Sequence, residues 1–114
     1  MDEHDVVVCI PVAGDGTVEH RWGRAPHVAV ARVRAGEIVE WAEHAVRWDV
    51  LHDTGTEGSH HARVIRFLRE NDVTAVVASH MGPPMVTSIT KLGLDLHLGA
   101  TGDARQAVLD AVSH

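Results

Sequence analysis

Cys9 is the only cysteine in the 114 residues. One thiol excludes an intramolecular disulfide, and it excludes a zinc finger or an all-cysteine cluster site built from a single chain. Lysine is equally scarce. Lys91 stands alone, and the other basic residues are scattered arginines. A nucleic-acid binder normally shows a basic patch, but no Lys/Arg run occurs here and the formal net charge is −6 with histidine neutral. No apolar stretch approaches the length of a membrane span. The start of the chain, Met1-Asp2-Glu3-His4-Asp5, is acidic. The apolar run behind it is too short for the hydrophobic region of a signal peptide, so the chain reads as cytoplasmic. No compact hydrolase motif such as H-E-x-x-H is present.

What the chain does hold is ordinary in bulk and unusual in one respect. Its length suits one domain, residues 1–114, packed in layers around a single core. Apolar residues make up 45% and charged residues 23%, both normal for a globular domain. Histidine, however, occurs ten times, as often as glycine. It is the commonest metal ligand and the side chain that normally titrates near neutral pH. The functional question is whether these imidazoles converge.

Val6-Val7-Val8-Cys9-Ile10-Pro11-Val12 is an unbroken, β-branched apolar run, the pattern of a strand buried on both faces. Ala13-Gly14-Asp15-Gly16 breaks it. Residues 28–33 and 37–41 read as two further strands joined by a short turn through Ala35-Gly36, a hairpin. Residues 47–60 are polar, aperiodic and read as loop. Ser59 is a plausible N-cap for a helix to about Asn71, with His61, Val64, Ile65 and Leu68 as its inward stripe. A fourth strand follows at 73–78. Gly82-Pro83-Pro84 opens a second helix, with proline where no N–H is needed. A fifth strand spans 94–98 and a last helix spans 103–112. No repeat, low-complexity segment or linker interrupts this order. The two β-α-β units require right-handed crossovers between parallel strands. The expected architecture is an α/β fold with a mixed five-stranded sheet of order 3-2-1-4-5. Strand two is antiparallel to the rest, and helices cover both faces.

That topology puts the ends of strands one, three, four and five at one edge. Open α/β sheets bind ligands outside the carboxyl ends of their strands, near a switch point, which here falls between strands one and four. The loops on that edge carry His20, His52, His60, His61 and His80, with His27 and His97 nearby. The opposite turns carry none. His80 follows strand four directly and leads through Met81-Gly82-Pro83-Pro84-Met85 into a helix. Free N–H groups and the dipole of that helix start favour an anion, and methionine thioethers suit soft metals. The metal-ligand candidates are His52, His60, His61 and His80. His61 is expected to point over the sheet edge and His60 away from that aim, about 100° round the helix. Met81 and Met85 equally fit a role as core fillers, and Cys9 fits a small buried residue. The three tryptophans fit packing, and Asp15, Asp49, Asp53 and Glu57 could orient histidine N–H groups.

Several segments occur in a family order: Ile10-Pro11-Val12, Gly23-Arg24-Ala25-Pro26, Gly36-Glu37-Ile38, Gly58-Ser59-His60-His61-Ala62, Ala75-Val76-Val77-Ala78-Ser79-His80-Met81-Gly82-Pro83 and Leu98-Gly99-Ala100. In this the chain resembles the dinitrogenase iron–molybdenum cofactor biosynthesis family, the NifX/NafY-type domain also found in NifB proteins. The resemblance implies a ribonuclease-H-like three-layer fold. It also implies binding of an iron–sulfur or iron–molybdenum-type cluster, or a simpler metal ion, for carriage or storage. On the matching segments it makes Arg24, Met81 and Gly82 cofactor-binding candidates beside the histidines. The step before Arg24 reads His20-Arg21-Trp22-Gly23, which displaces the histidine by one residue from the family's His-Phe-Gly.

Three functions follow as expectations. The first is a metallocluster or metal carrier, with a client protein that receives the cargo. The second is a metal-dependent hydrolase or transferase with His52, His61 and His80 as ligands and Glu57 as base. Ribonuclease-type chemistry would need clustered carboxylates on strands one and four, which carry none. The third is a metal-free interaction domain in which the histidines sense pH.

Overall fold

A computed structural model describes residues 5–51 and 57–113. In chain order the elements are β1 (Val6–Pro11), β2 (Val28–Arg34), β3 (Glu37–His44), α1 (Trp48–Leu51), α2 (Glu57–Glu70), β4 (Ala75–Val77), α3 (Pro83–Lys91), β5 (Asp95–His97) and α4 (Ala104–Val112). The strands form one sheet of order β3-β2-β1-β4-β5. β2 runs antiparallel to both β1 and β3, whereas β1–β4 and β4–β5 are parallel. The mixed topology expected from the sequence is therefore the topology found.

β1 is the middle strand because both of its faces are apolar. Val7 and Cys9 enter one layer with Val64 and Leu68 of α2 and Met85 and Ile89 of α3. Val8, Ile10 and the following Val12 enter the other layer with Ala104, Ala107 and Val108 of α4. Alternation along a strand produces this division, and it yields helices on both faces of the sheet. The β2–β3 turn has Ala35 at φ 53° and Gly36 at φ 81°. Two successive positive φ values make the twist of this two-residue turn match that of the strands.

The structure departs from the sequence expectations at element ends. The segment read as a continuous loop after residue 47 begins with the single turn of α1. There Trp48 is buried and its N–H bonds to the Ala25 carbonyl at 3.1 Å. α2 begins at Glu57, ahead of Ser59, and β3 runs three residues past Trp41, to His44. β4 keeps only its central residues as strand. Thr74 still ties the sheet together, because its N–H bonds to Val7 O at 2.8 Å. Among the described residues no helix is long and apolar enough to cross a membrane.

Asp5 closes the outer end of β2. It accepts a two-pronged bond from Arg34, at 2.8 and 2.9 Å, and a longer one from Arg32 at 3.4 Å. The Arg34 hydrogen bond, with Arg32 assisting, holds the Asp5 carboxyl below its ordinary value of 3.8. A carboxylate with a depressed folded pKa stabilises the fold above its unfolded pKa and stops doing so as pH falls through the folded value. The urea midpoint of Asp5→Asn should therefore lie below wild type at pH 6, and the gap should shrink below pH 4. In the core, Ile10→Ala removes a fully buried side chain from the central strand. It should cost about 3 kcal/mol in urea unfolding.

Candidate functional site

Three loops are laced together at the carboxyl edge of the sheet. After β1 the chain turns back on itself, with a bridge between Val12 and Val18. Asp15 Oδ1 accepts from the Thr17 hydroxyl at 2.6 Å and the Thr17 N–H at 3.1 Å, and these bonds hold its carboxyl below the ordinary range. Asp15 is thus engaged in a turn. Val18 N–H then bonds to Gly102 O at 2.8 Å, and Ala104 N–H to Gly16 O at 2.9 Å. Further on, Arg21 pairs with His80 in a parallel bridge. Gly99 N–H bonds to Ser79 O at 3.0 Å. The loops after β1, β4 and β5 therefore make one continuous rim, on which His80 is exposed.

The next segment of the first loop is a turn over Trp22-Gly23-Arg24-Ala25, closed by a 3.3 Å bond from Ala25 N–H to Trp22 O. Trp22 is buried and packs edge-on against Trp48, with centroids 5.3 Å apart. Trp48 meets Phe67 at 5.8 Å and His60 at 6.4 Å. Trp22 Nε1 is buried without a hydrogen-bond partner among the described residues, an uncompensated donor that costs about 1–3 kcal/mol. The aromatic cluster joins residues far apart in sequence, and no spacing announced it beyond the position of Trp22 and Trp48 beside edge loops.

His60 and His61 exchange the roles the sequence suggested. The inward stripe of α2 is His60, Val64 and Leu68, one residue every four, and His60 is only 2% exposed. His61 is half-buried. His60 Nε2 lies 2.7 Å from Gly23 O. A carbonyl can only accept, so Nε2 carries the proton and donates. Nδ1 is then the acceptor for Arg63 Nη1 at 2.8 Å. Both ring nitrogens are engaged, so His60 is not free to ligate a metal while these bonds stand. The reversal arises because the phase of α2 follows the packing of Val64 and Leu68, which puts His60 on their buried side.

The start of α3 also departs from expectation. Gly82 caps it without a side-chain hydrogen bond, and Pro83 and Pro84 occupy the first turn. Prolines have no N–H, and the next two N–H groups, of Met85 and Val86, both turn back to Gly82 O at 3.1 Å. The free N–H array expected to favour an anion is therefore not offered there. A Cβ at Gly82 would meet only Pro84 Cδ, at 3.8 Å, so the glycine leaves the rim open without being required by space. Met81 and Met85 are buried in the core layer beneath α3 and act as fillers. Arg24 is exposed and makes no ion pair or side-chain hydrogen bond among the described residues. Arg47 joins the same neighbourhood, its N–H bonded to Pro26 O at 2.9 Å. The sequence left these arginines scattered. His52 lies outside the described residues, and among the described residues no three of His, Cys, Asp or Glu are grouped to hold a metal ion. A cavity of about 350 Å³ opens between β5 and α4, lined by His97, Leu98, Thr101 and Asp110 among others. It lies on the α4 layer, away from the turn that His60 supports.

The fold is shared with several solved structures. The apo form of the orange protein (ORP) from Desulfovibrio gigas superposes with a TM-score of 0.72 at 19% identity, over 97% of this chain and 90% of that one. PH0822 gives 0.72 at 16%, over 93% and 88%. TM1290 from Thermotoga, a candidate NifB protein of the DUF35 family, gives 0.62 at 24%, over 95% and 87%. At these identities the likeness establishes the fold. A search of curated protein sequences finds no match. The chain belongs to the dinitrogenase iron–molybdenum cofactor family, whose model matches residues 4–114.

The one thiol stands apart from the rim. Cys9 is fully buried in β1, and burial pushes its thiol far above the ordinary value, so a thiolate ligand or nucleophile is not available there. Iodoacetamide at pH 8 should leave Cys9 unmodified in the folded protein and alkylate it fully in urea, as read by intact mass.

Proposed function

We propose that this chain binds and carries an anionic metallocluster of the iron–molybdenum cofactor type on the rim built by the loops after β1, β4 and β5. The observation that carries the reading is family membership across residues 4–114, supported by the pairing of Arg21 with His80. That pairing brings the arginine-bearing loop beside the exposed imidazole. The cluster is cargo, and the chain hands it to a client protein.

The chemistry available suits such a cargo better than a bare ion. A bare ion takes most of its coordination shell from side chains, whereas a cluster brings bridging sulfides of its own. It then needs one or two protein ligands and donors that offset its negative charge. In this reading His80 and His61 are the imidazole ligands, His52 is a further candidate, and the Arg24 guanidinium bonds the anionic face. Gly82 leaves the rim low enough for approach, and buried Met81 supports it from beneath. The net charge of −6 opposes anion capture from a distance, so binding depends on these local donors.

The test is anaerobic loading of the protein with iron–molybdenum cofactor, followed by desalting, metal analysis and an optical spectrum. The wild-type chain should retain the chromophore with stoichiometric metal. Arg24→Ala loses a charge-assisted bond of about 1.5–3 kcal/mol and should bind about tenfold or more weakly. His80→Ala should weaken retention at least as much. Full retention by the His80→Ala, His61→Ala double variant would remove both imidazoles from the site.

A further inference from the structure

We propose that His60 is a positioning residue that locks the Gly23–Arg24 peptide plane, so that Arg24 presents its backbone N–H together with its guanidinium as a paired donor toward an anionic cargo. This rests on the reading of Arg24 as a cargo contact, and it moves His60 from the ligand set to the support beneath it.

The geometry points to this from four sides. His60 Nε2–H donates to Gly23 O at 2.7 Å from a nearly fully buried ring, so that carbonyl is directed into the protein. No peptide bond among the described residues is cis. In a trans peptide the C=O and the following N–H point in opposite directions, so the Arg24 N–H is directed outward. The tautomer that makes the bond is fixed in turn by Arg63, which donates to Nδ1 at 2.8 Å and to Leu51 O at 3.1 Å. The rest of the turn is held from the other side, where Trp48 N–H bonds to Ala25 O and Arg47 N–H to Pro26 O. The His60 ring stands edge-on to Trp48, and Trp48 to Trp22. One imidazole thus joins α2 to the turn, through a peptide whose outward half belongs to Arg24. A backbone N–H and a side-chain cation on one residue suit the sulfide or oxide face of a cluster, and equally a tetrahedral oxyanion.

The experiment reads the lock without cargo and the contact with a probe. In wild type at neutral pH, a long-range ¹H–¹⁵N spectrum should show His60 as the Nε2–H tautomer with a slowly exchanging ring proton. An Nδ1–H tautomer or fast ring exchange would overturn the proposal even if no variant folds. His60→Phe keeps the buried ring and loses both bonds, whereas His60→Gln keeps a donor and an acceptor. Amide exchange at Ala25 and Trp48 should quicken at least tenfold in His60→Phe and return to within about twofold of wild type in His60→Gln. Unchanged exchange in folded His60→Phe would overturn the lock. Molybdate added to wild type and to His60→Gln should shift the Arg24 amide resonance, with the shift lost in His60→Phe. If the exchange results hold but molybdate leaves the wild-type Arg24 amide unmoved, the lock stands and the paired-donor role falls. Iron–molybdenum cofactor retention then decides separately whether the chain is a carrier.

Discussion

β1 has an antiparallel neighbour on one side and a parallel neighbour on the other, and the placement of every loop near the candidate site depends on that. A strand this apolar has to be covered on both faces. Covering it fixes α2 and α3 in one layer and α4 in the other. The parallel pairings of β1, β4 and β5 then oblige their following loops to emerge at one edge. The hydrogen bonds among residues 13–22, 79–80 and 99–104 are the consequence. The rim is therefore a product of sheet direction, with no motif of its own in the chain.

Within that rim, polar chemistry divides into groups spent on structure and groups left outward. Asp15 is bound by Thr17, Glu19 by Arg21, and His60 by Gly23 and Arg63. Each of these residue types reads in sequence as a possible ligand or ligand partner, and each is consumed in shaping a turn. His80, Arg24 and Arg47 remain exposed. Buried polar groups are almost always paired, as His60 is, but Asp15 is exposed, so hydrogen bonding separates the two groups where neither burial nor residue identity does. Trp22 Nε1 is the exception, and it sits in the turn that carries Arg24.

A metallocluster carrier has to hold a reactive cargo and release it. In the proposed role, the donors that remain fit that compromise. They are imidazoles and guanidinium groups at a surface rim, while the strongest soft ligand, the Cys9 thiol, is sealed in the middle of the sheet. A thiolate would bind such a cluster more firmly, and a firm grip suits transfer less well than storage.

The sequence by itself determined the sheet order and the direction of each strand. Apolar runs, proline and glycine act locally, and the crossover rule leaves few topologies. It also carried the family, through short segments in a fixed order. Only the tertiary structure decided which of two adjacent histidines is buried and spent on structure. His60 and His61 are neighbours in sequence, and one step along a helix turns a side chain by about 100°. The phase of α2 was set by how Val64 and Leu68 pack against Trp48 and β1, a long-range contact that no local pattern encodes. The same holds for the start of α3. Its prolines were legible as a helix signal, but the loss of free N–H groups became plain only when the Met85 and Val86 bonds to Gly82 accounted for the donors that remained.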